Sequence, residues 1–283
     1  MKQLRSLELL PCFYHYNLEN PIILRSNSVN HLKATTTIKI RVEMPKLQSF
    51  EGSLSSLDRP DENPASLTLS ELKHLILCDE SDLISITTVQ SIFQRLTNLE
   101  TIKLDYDSFD DEFFDVLCDN CTSLRELTIS PNDSGPQNDC SMIRLDLTKL
   151  TKLTKLALEN SLLDTVNLPK SIRKLKICLS FYNQHEMIQT LIDSSKSLEE
   201  LQVVFFKAYE ETVSLLETLS VLQRLEVLVF YGARFEESSF LHINAPLERV
   251  RQLRFVGCKL STKSFLGIQE KFPNLKKLQF ISC

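Results

Sequence analysis

The stretch NLKKLQFISC (274–283) carries the spacing that decides the fold. Its four key residues are separated by two, one and two positions: Leu275, Leu278, Phe280 and Cys283. Full or partial copies occur throughout the chain: LRSLELLPC (4–12), LKHLIL (72–77), LETIKLDYD (99–107), LRELTISPN (124–132), LTKLALENS (153–161), IRKLKICLS (172–180), LEELQVVFF (198–206), LEVLVFYGA (225–233) and VRQLRFVGC (250–258). A weaker copy, LQSFEGS, lies at 47–53. From its Leu47 onward the copies begin 25, 27, 25, 29, 19, 26, 27, 25 and 25 residues apart, so the chain consists of repeated units.

Each unit combines a short strand pattern with a return segment that is often helical. SITTVQSIFQRL (85–96), EMIQTLI (186–192) and TKSFLGIQEKF (262–272) carry apolar residues at helical spacing, and Pro273 ends the last of them. SSLDRPDENPAS (55–66) and PNDSGPQNDCS (131–141) have the Pro, Ser and Asp content of loops. The sequence therefore predicts an α/β fold with one parallel strand per unit.

The L-x-x-L-x-L-x-x-N/C pattern of these units resembles the leucine-rich repeat family. The resemblance covers residues 47–283 and reaches Leu4, with residues 13–46 expected to be degenerate or irregular. It implies a right-handed, horseshoe-shaped solenoid of about 10–11 units, with the parallel sheet on the concave face and the helices and irregular returns on the convex face. We expect residues 1–283 to form one such domain.

The unit length, the cysteine at the last key position of three units and the run CTSLRELTI (121–129) are closest to the cysteine-containing repeats of F-box/leucine-rich-repeat proteins. No F-box segment precedes the repeats in this chain. Because a solenoid exposes the apolar face of an end unit that lacks a cap, and repeats begin at Leu4 and end at Cys283, we expect uncapped ends. Two explanations stay open: a portion of a longer protein, or ends covered by a partner or a second copy.

Composition narrows the class of protein. The formal charge is −5, from 32 basic and 37 acidic residues, which is too balanced for a nucleic-acid scaffold. No apolar run approaches the roughly 18 residues needed to cross a bilayer, and MKQLRSLELLPC (1–12) carries repeat spacing instead of a signal-peptide core. We expect a cytoplasmic or nuclear protein with no nucleic-acid or membrane partner.

No motif for catalysis, a cofactor or a metal stands out. The five histidines are scattered, and the five glycines form no phosphate loop. CDNC (118–121) has metal-ligand spacing but lacks a second pair. Asp105 and Asp107 hint at a calcium loop, but Phe109 takes a ligand position and the required glycine is missing. We therefore predict a protein that is not an enzyme and holds no cofactor.

A binding surface is predicted instead, because key residues that enter the core leave their neighbours on the opposite face of each strand. The concave residues expected to contact a protein partner are Val204, Val227, Val229, Tyr231, Arg254, Val256 and Ile281. A second, basic patch comprises Lys103, Lys155, Lys174 and Lys176. The alternative is that the β-branched residues merely suit strands and that the lysines are ordinary solvated side chains.

The resemblance implies substrate recognition for a ubiquitin ligase of the Skp1–cullin–F-box type. The repeats would hold the substrate, and a missing F-box would recruit Skp1 and cullin. The alternative is the recognition region of an intracellular immune receptor, or another scaffold with no ligase link, and an enzyme is a distant third. Both main interpretations expect a protein partner on the concave face.

Overall fold

In a computed structural model, the structure describes residues 4–10, 21–35, 38–58, 69–78, 84–105, 110–130, 143–159, 163–179, 184–193, 196–205 and 212–283. The chain divides into two compact units, Met1–Gln137 and Asn138–Cys283. Both are α/β, and the strands that pair within each are parallel. No helix in the described ranges has the length and apolar character needed to span a membrane.

The first unit contains eight described strands and two α-helices. The strands are β1 (Ser6–Leu9), β2 (Ile22–Arg25), β3 (His31–Ala34), β4 (Ile40–Glu43), β5 (Ser49–Gly52), β6 (His74–Cys78), β7 (Thr101–Asp105) and β8 (Glu126–Ser130). The helices are α1 (Ile86–Arg95) and α2 (Asp111–Asn120), with a 3₁₀ turn at Leu54–Leu57. The main sheet has the order β1-β3-β5-β6-β7-β8, and β2 pairs with β4 in a second small sheet.

The region expected to be degenerate, residues 13–46, contributes β3 to the main sheet between β1 and β5. Leu32 is paired with Leu7 on one side and with Phe50 on the other. Only 18 positions separate Leu32 from Phe50, and the return between them is the extended strand β4, paired with β2. An extended return spans more distance per residue than a helix, which explains how so short a segment completes a repeat.

The second unit also contains eight described strands. They are β9 (Ile143–Asp146), β10 (Lys155–Leu158), β11 (Leu163–Asn167), β12 (Lys174–Leu179), β13 (Glu200–Phe205), β14 (Val227–Tyr231), β15 (Gln252–Val256) and β16 (Lys277–Ile281). The helices are α3 (Gln184–Asp193), α4 (Thr212–Leu219) and α5 (Ile268–Lys271), with 3₁₀ turns at Ser239–His242 and Thr262–Phe265. The main sheet runs β10-β12-β13-β14-β15-β16, and β9 pairs with β11.

Strand register stacks the key residues of the second unit into two continuous rows. The first row is Leu156, Leu175, Leu201, Leu228, Leu253 and Leu278, and the second is Leu158, Ile177, Val203, Phe230, Phe255 and Phe280. All are buried except the last member of each row, so the predicted burial of the key residues is confirmed for β10 to β15. Since side chains alternate along a strand, the residues between them lie on the opposite face, which we call the outward face.

The two helices of the first unit, α1 and α2, begin at capping side chains. Ser85 Oγ accepts a hydrogen bond from the Thr88 N–H at 3.3 Å, and Asp110 Oδ1 accepts one from the Phe113 N–H at 2.9 Å. Both bonds satisfy backbone donors that a helix start leaves unpaired. The helices predicted at 85–96 and 186–192 are present as α1 and α3.

The prediction of a continuous helix at 262–272 is wrong. The segment forms a 3₁₀ turn and the short α5, separated at Gly267, whose φ of +82° lies in the left-handed region. Ser264 anchors the first piece, because its buried Oγ donates to the Phe235 carbonyl at 2.9 Å. The helical spacing of apolar residues in the sequence does not reveal this hydrogen bond to the preceding repeat.

Candidate protein-binding face

The outward face of the second unit consists of three rows of side chains that run across its strands. The first row is Lys155, Lys174, Glu200, Val227, Gln252 and Lys277. The second row is Ala157, Lys176, Gln202, Val229, Arg254 and Gln279. The third row is Cys178, Val204, Tyr231, Val256 and Ile281. Residues more than 100 positions apart in sequence, such as Lys155 and Lys277, thus form one surface.

The β10 to β13 part of this face is charged and internally paired. Lys174 Nζ lies 3.2 Å from a carboxylate oxygen of Glu200, and Lys176 forms an ion pair with Glu159. Glu200 also accepts a hydrogen bond from Gln202 Nε2 at 2.7 Å. These carboxylates balance the two lysine charges, which the sequence pattern had not indicated.

Three of the four lysines of the predicted basic patch lie on the outward face of the second unit. Lys155 and Lys174 are paired neighbours on β10 and β12, and Lys176 lies on the same face. Lys103 belongs to β7 in the first unit, where its side chain is exposed. A patch that carries its own carboxylates has little attraction left for an acidic ligand.

Tyr231 joins the charged part of the face to the apolar part. The Lys176 ammonium lies 5.8 Å from the centroid of the Tyr231 ring, within the range of a cation–π interaction. Tyr231 Oη donates to Gln202 Oε1 at 3.4 Å. The ring is half-buried, so one side of it stays available on the surface.

The β14 to β16 part of the face is apolar and surrounds one guanidinium. Val227, Val256 and Arg254 are half-buried, and Ile281 is 43 % exposed. Arg254 Nε donates to Gln279 Oε1 at 3.2 Å. Val204 is half-buried one strand away, on β13. Six of the seven residues predicted to contact a partner are thus accessible on one continuous surface.

Val229 is the exception, and its prediction as a contact residue is wrong. Its side chain is only 2 % exposed although it lies on the outward face. It occupies the middle row, with the long side chains of Gln202 and Arg254 paired on either side of it and Val227 and Tyr231 two positions away on its own strand. A small residue between larger neighbours is covered by them.

The last strand exposes two residues of the inward rows. Leu278 is 42 % exposed and Phe280 is 48 % exposed, whereas their neighbours Leu253 and Phe255 are fully buried. Phe280 nevertheless stacks on Phe255, with ring centroids 5.4 Å apart and planes 7° from parallel. Among the described residues no strand pairs with the far edge of β16, which explains the exposure.

The outward face of the first unit has a different character. Its second row includes Glu8, Lys33 and Glu51, and the Lys33 ammonium lies 2.8 Å from a Glu51 oxygen. A hydrogen bond from Lys33 to Glu51 raises the pKa of that lysine. Exposed pairs of this kind are screened by water and contribute little to a binding site.

The described cysteines have structural surroundings. Cys118 and Cys121 lie buried at the end of α2, and burial, assisted by the neighbouring Cys118, raises the pKa of Cys121 to about 12. Cys258 Sγ donates to the Phe230 carbonyl at 3.4 Å, and Cys283 Sγ donates to the Phe255 carbonyl at 3.5 Å. In the described part of the chain, the two thiols at the last key position, Cys258 and Cys283, thus bind the backbone of the preceding strand.

Within the described ranges, no three His, Cys, Asp or Glu side chains form a group able to hold a metal ion. The calcium-loop candidate at Asp105 and Asp107 lies outside the residues whose side chains the structure describes.

Comparison with known proteins identifies no relative by sequence. The chain matches no protein-family model and no curated protein. Among solved structures it is similar to the crystal structure of the leucine-rich repeat-containing protein LegL7 from Legionella pneumophila, with 14 % sequence identity and a TM-score of 0.44. That similarity covers 83 % of each chain.

Proposed function

We propose that this chain is a leucine-rich repeat scaffold that binds another protein on the outward face of its second unit and carries no catalytic activity. The observation that carries the proposal is the surface of Val204, Val227, Tyr231, Val256 and Ile281 around Arg254. Exposed apolar side chains clustered with tyrosine and arginine are typical of protein-binding hot spots. The register of the repeats supports the fold assignment, since each described copy of the motif forms one parallel strand.

The proposed partner is the substrate of a ubiquitin ligase of the Skp1–cullin–F-box type, recognised in the cytoplasm or nucleus. The resemblance of these repeats to the cysteine-containing repeats of F-box/leucine-rich-repeat proteins supports this assignment. The thiol-to-carbonyl hydrogen bonds of Cys258 and Cys283 support it as well. Cys121, Cys258 and Cys283 are free thiols, in keeping with a reducing compartment.

Proximity labelling with three versions of the tagged chain tests the binding surface. A partner of the outward face is labelled by the wild type and lost with Val256→Asp, because a charge enters the apolar contact. Val213→Asp is the matched control, since Val213 is an exposed valine on α4, behind the sheet. Identical labelling by all three versions would remove the outward face from consideration.

Affinity purification of the complete gene product tests the ligase link. We expect Skp1 and cullin to be recovered together with the substrate. Recovery of the Val256-dependent partner without Skp1 or cullin would instead favour a scaffold with no ligase link, such as the recognition region of an immune receptor.

A further inference from the structure

The outward surface of β14 to β16 carries positive charge and no negative charge. Its nine outward positions are Val227, Val229, Tyr231, Gln252, Arg254, Val256, Lys277, Gln279 and Ile281. Arg254 and Lys277 are the cations among them, in a chain whose net charge is −5. The lysines of β12 on the same face already have Glu159 and Glu200 as ion-pair partners.

Arg254 is the more informative of the two cations because it is half-buried. Its one side-chain hydrogen bond in the described part of the chain is from Nε to the neutral amide of Gln279. No carboxylate there compensates its charge. Partial removal of a guanidinium from water without a counter-ion is unfavourable, so an incoming anion at this position gains more than it would at a fully solvated arginine.

The surroundings of Arg254 favour a carboxylate over a phosphate. One guanidinium presents a planar fork that matches a planar carboxylate through two parallel hydrogen bonds. A phosphate dianion calls for more cationic donors than one arginine and one exposed lysine, and this rim consists of Val227, Tyr231, Val256 and Ile281. A ligand that fits this rim carries apolar groups beside its carboxylate, and a protein segment provides both.

Strand geometry sets the spacing of that segment. Val256 follows Arg254 by two residues on β15, and two residues of extended chain span about 6.6 Å. Tyr231 and Ile281 are paired with Val256 on the neighbouring strands, so the apolar contact extends across three strands at that level. An extended partner segment lying along β15 reaches both levels with side chains two residues apart.

We propose that the outward face of β14 to β16 binds a protein segment in which an aspartate or glutamate lies two residues from a large apolar side chain. The carboxylate contacts Arg254, and the apolar side chain contacts Tyr231, Val256 and Ile281. This inference rests on the proposed function and names the chemistry of its ligand.

Selection of a phage-displayed random dodecapeptide library on the immobilised full chain tests the inference. We expect the selected peptides to share an acidic residue two positions from an aliphatic or aromatic residue. Synthetic copies should bind Arg254→Gln at least roughly tenfold more weakly than the wild type, since a desolvated charge pair is lost. Arg249→Gln is the matched control, because Arg249 is an exposed arginine in the turn before β15 and its loss should leave affinity unchanged.

A double-mutant cycle isolates the contact itself. Exchange of the peptide acid for its amide should cost the wild type as much as Arg254→Gln does, and should cost the Arg254→Gln variant almost nothing more. Arg254→Lys keeps the charge without the fork and should give an intermediate loss. Thermal denaturation of each variant verifies that the fold is retained.

Four results would overturn the inference: recovery of no peptide, selected peptides without an acid, equal binding to Arg254→Gln, or binding when phosphoserine but not aspartate or glutamate occupies the acidic position. Peptides that lose affinity with Val256→Asp but not with Arg254→Gln would overturn the carboxylate contact while leaving the proposed protein-binding face intact. Peptides whose affinity is unchanged by both Val256→Asp and Arg254→Gln would contradict the carboxylate contact and the proposed protein-binding face alike.

Discussion

Replacement of Phe255 by alanine should be among the most destabilising single changes in the second unit. Phe255 is fully buried, and five rings surround it: Phe230, Phe235, Phe240, Phe265 and Phe280, with centroid distances of 5.8, 5.4, 5.9, 6.3 and 5.4 Å. Truncation of a buried phenylalanine costs about 3–5 kcal/mol. Since favourable ring pairs contribute about 0.5–1.5 kcal/mol each beyond buried area, we expect a loss near the upper end, about 5 kcal/mol.

Phe280→Ala is the matched control because Phe280 occupies the same row one strand later. It is 48 % exposed and contacts only two rings in the described part of the chain, Phe255 and Phe265. Burial of about half the side chain halves the transfer contribution, so we expect a loss of about 2 kcal/mol. The difference of about 3 kcal/mol corresponds to a difference in Tm of about 6–12 °C at this chain length.

Circular dichroism during thermal denaturation is the suitable measurement, since the chain contains no tryptophan for fluorescence. Phe255→Leu should recover most of the loss because it retains apolar volume without the ring pairs. If Phe255→Ala lowers the Tm no more than Phe280→Ala, Phe255 is not enclosed between strands. The assignment of the outward face would then fail too, because a shift of one residue exchanges the two faces of a strand.

Three further predictions concern backbone conformation, acid and thiol chemistry. Gly267→Ala should cost at least about 1–2 kcal/mol, measured as a lowered Tm, because φ is +82° and the new Cβ would lie 2.4 Å from Leu241 Cδ2. The Thr148 hydroxyl and N–H lower the pKa of Asp146 by hydrogen bonding. Their stabilisation is complete above the ordinary value of about 3.9 and disappears as pH falls through the lower folded pKa, so urea denaturation across acidic pH should show a step that Asp146→Asn removes. The thiol of Cys121, which is buried and has a pKa of about 12, should not react with a disulfide reagent at pH 8 in the native chain.

Each of these predictions has an internal control. Gly257 has a φ of +60° with open space around a new Cβ, so Gly257→Ala should cost less than Gly267→Ala. Thr148→Ala should return the pKa of Asp146 toward its ordinary value, and an unchanged acid profile would contradict the hydrogen-bond origin. Cys283 is exposed and should react first, so equal labelling of Cys121 would show that α2 opens readily.

The repeat made the inward rows predictable because its spacing is itself a consequence of the register. Leu228 and Leu253 are 25 residues apart and directly paired, and both are fully buried as the pattern requires. The same geometry assigns Val227, Tyr231 and Arg254 to the outward face. Where each repeat packs only on its neighbouring repeats, the pattern within one repeat contains most of the information about the fold.

The parts that sequence did not predict depend on side-chain size across strands or on backbone turns. The burial of Val229 follows from the lengths of Gln202 and Arg254, which are 27 residues before it and 25 residues after it. The pairing of Lys176 with Glu159 likewise joins two repeats. Gly267 interrupts a region whose apolar spacing is helical, because its left-handed conformation fits against Leu241. The periodicity of apolar residues within one repeat does not contain information on these contacts between repeats.

Separation of the two faces explains how such a chain can acquire a specific ligand without loss of its fold. The inward leucine and phenylalanine rows contain the buried apolar area that stabilises the sheet, whereas Arg254 and Val256 remain half-buried on the other side. Substitutions there alter recognition at little cost in the free energy of unfolding. Loss of binding with an unchanged Tm in Arg254→Gln, beside a lowered Tm in Phe255→Ala on the same strand, is therefore the pattern that this division of roles requires.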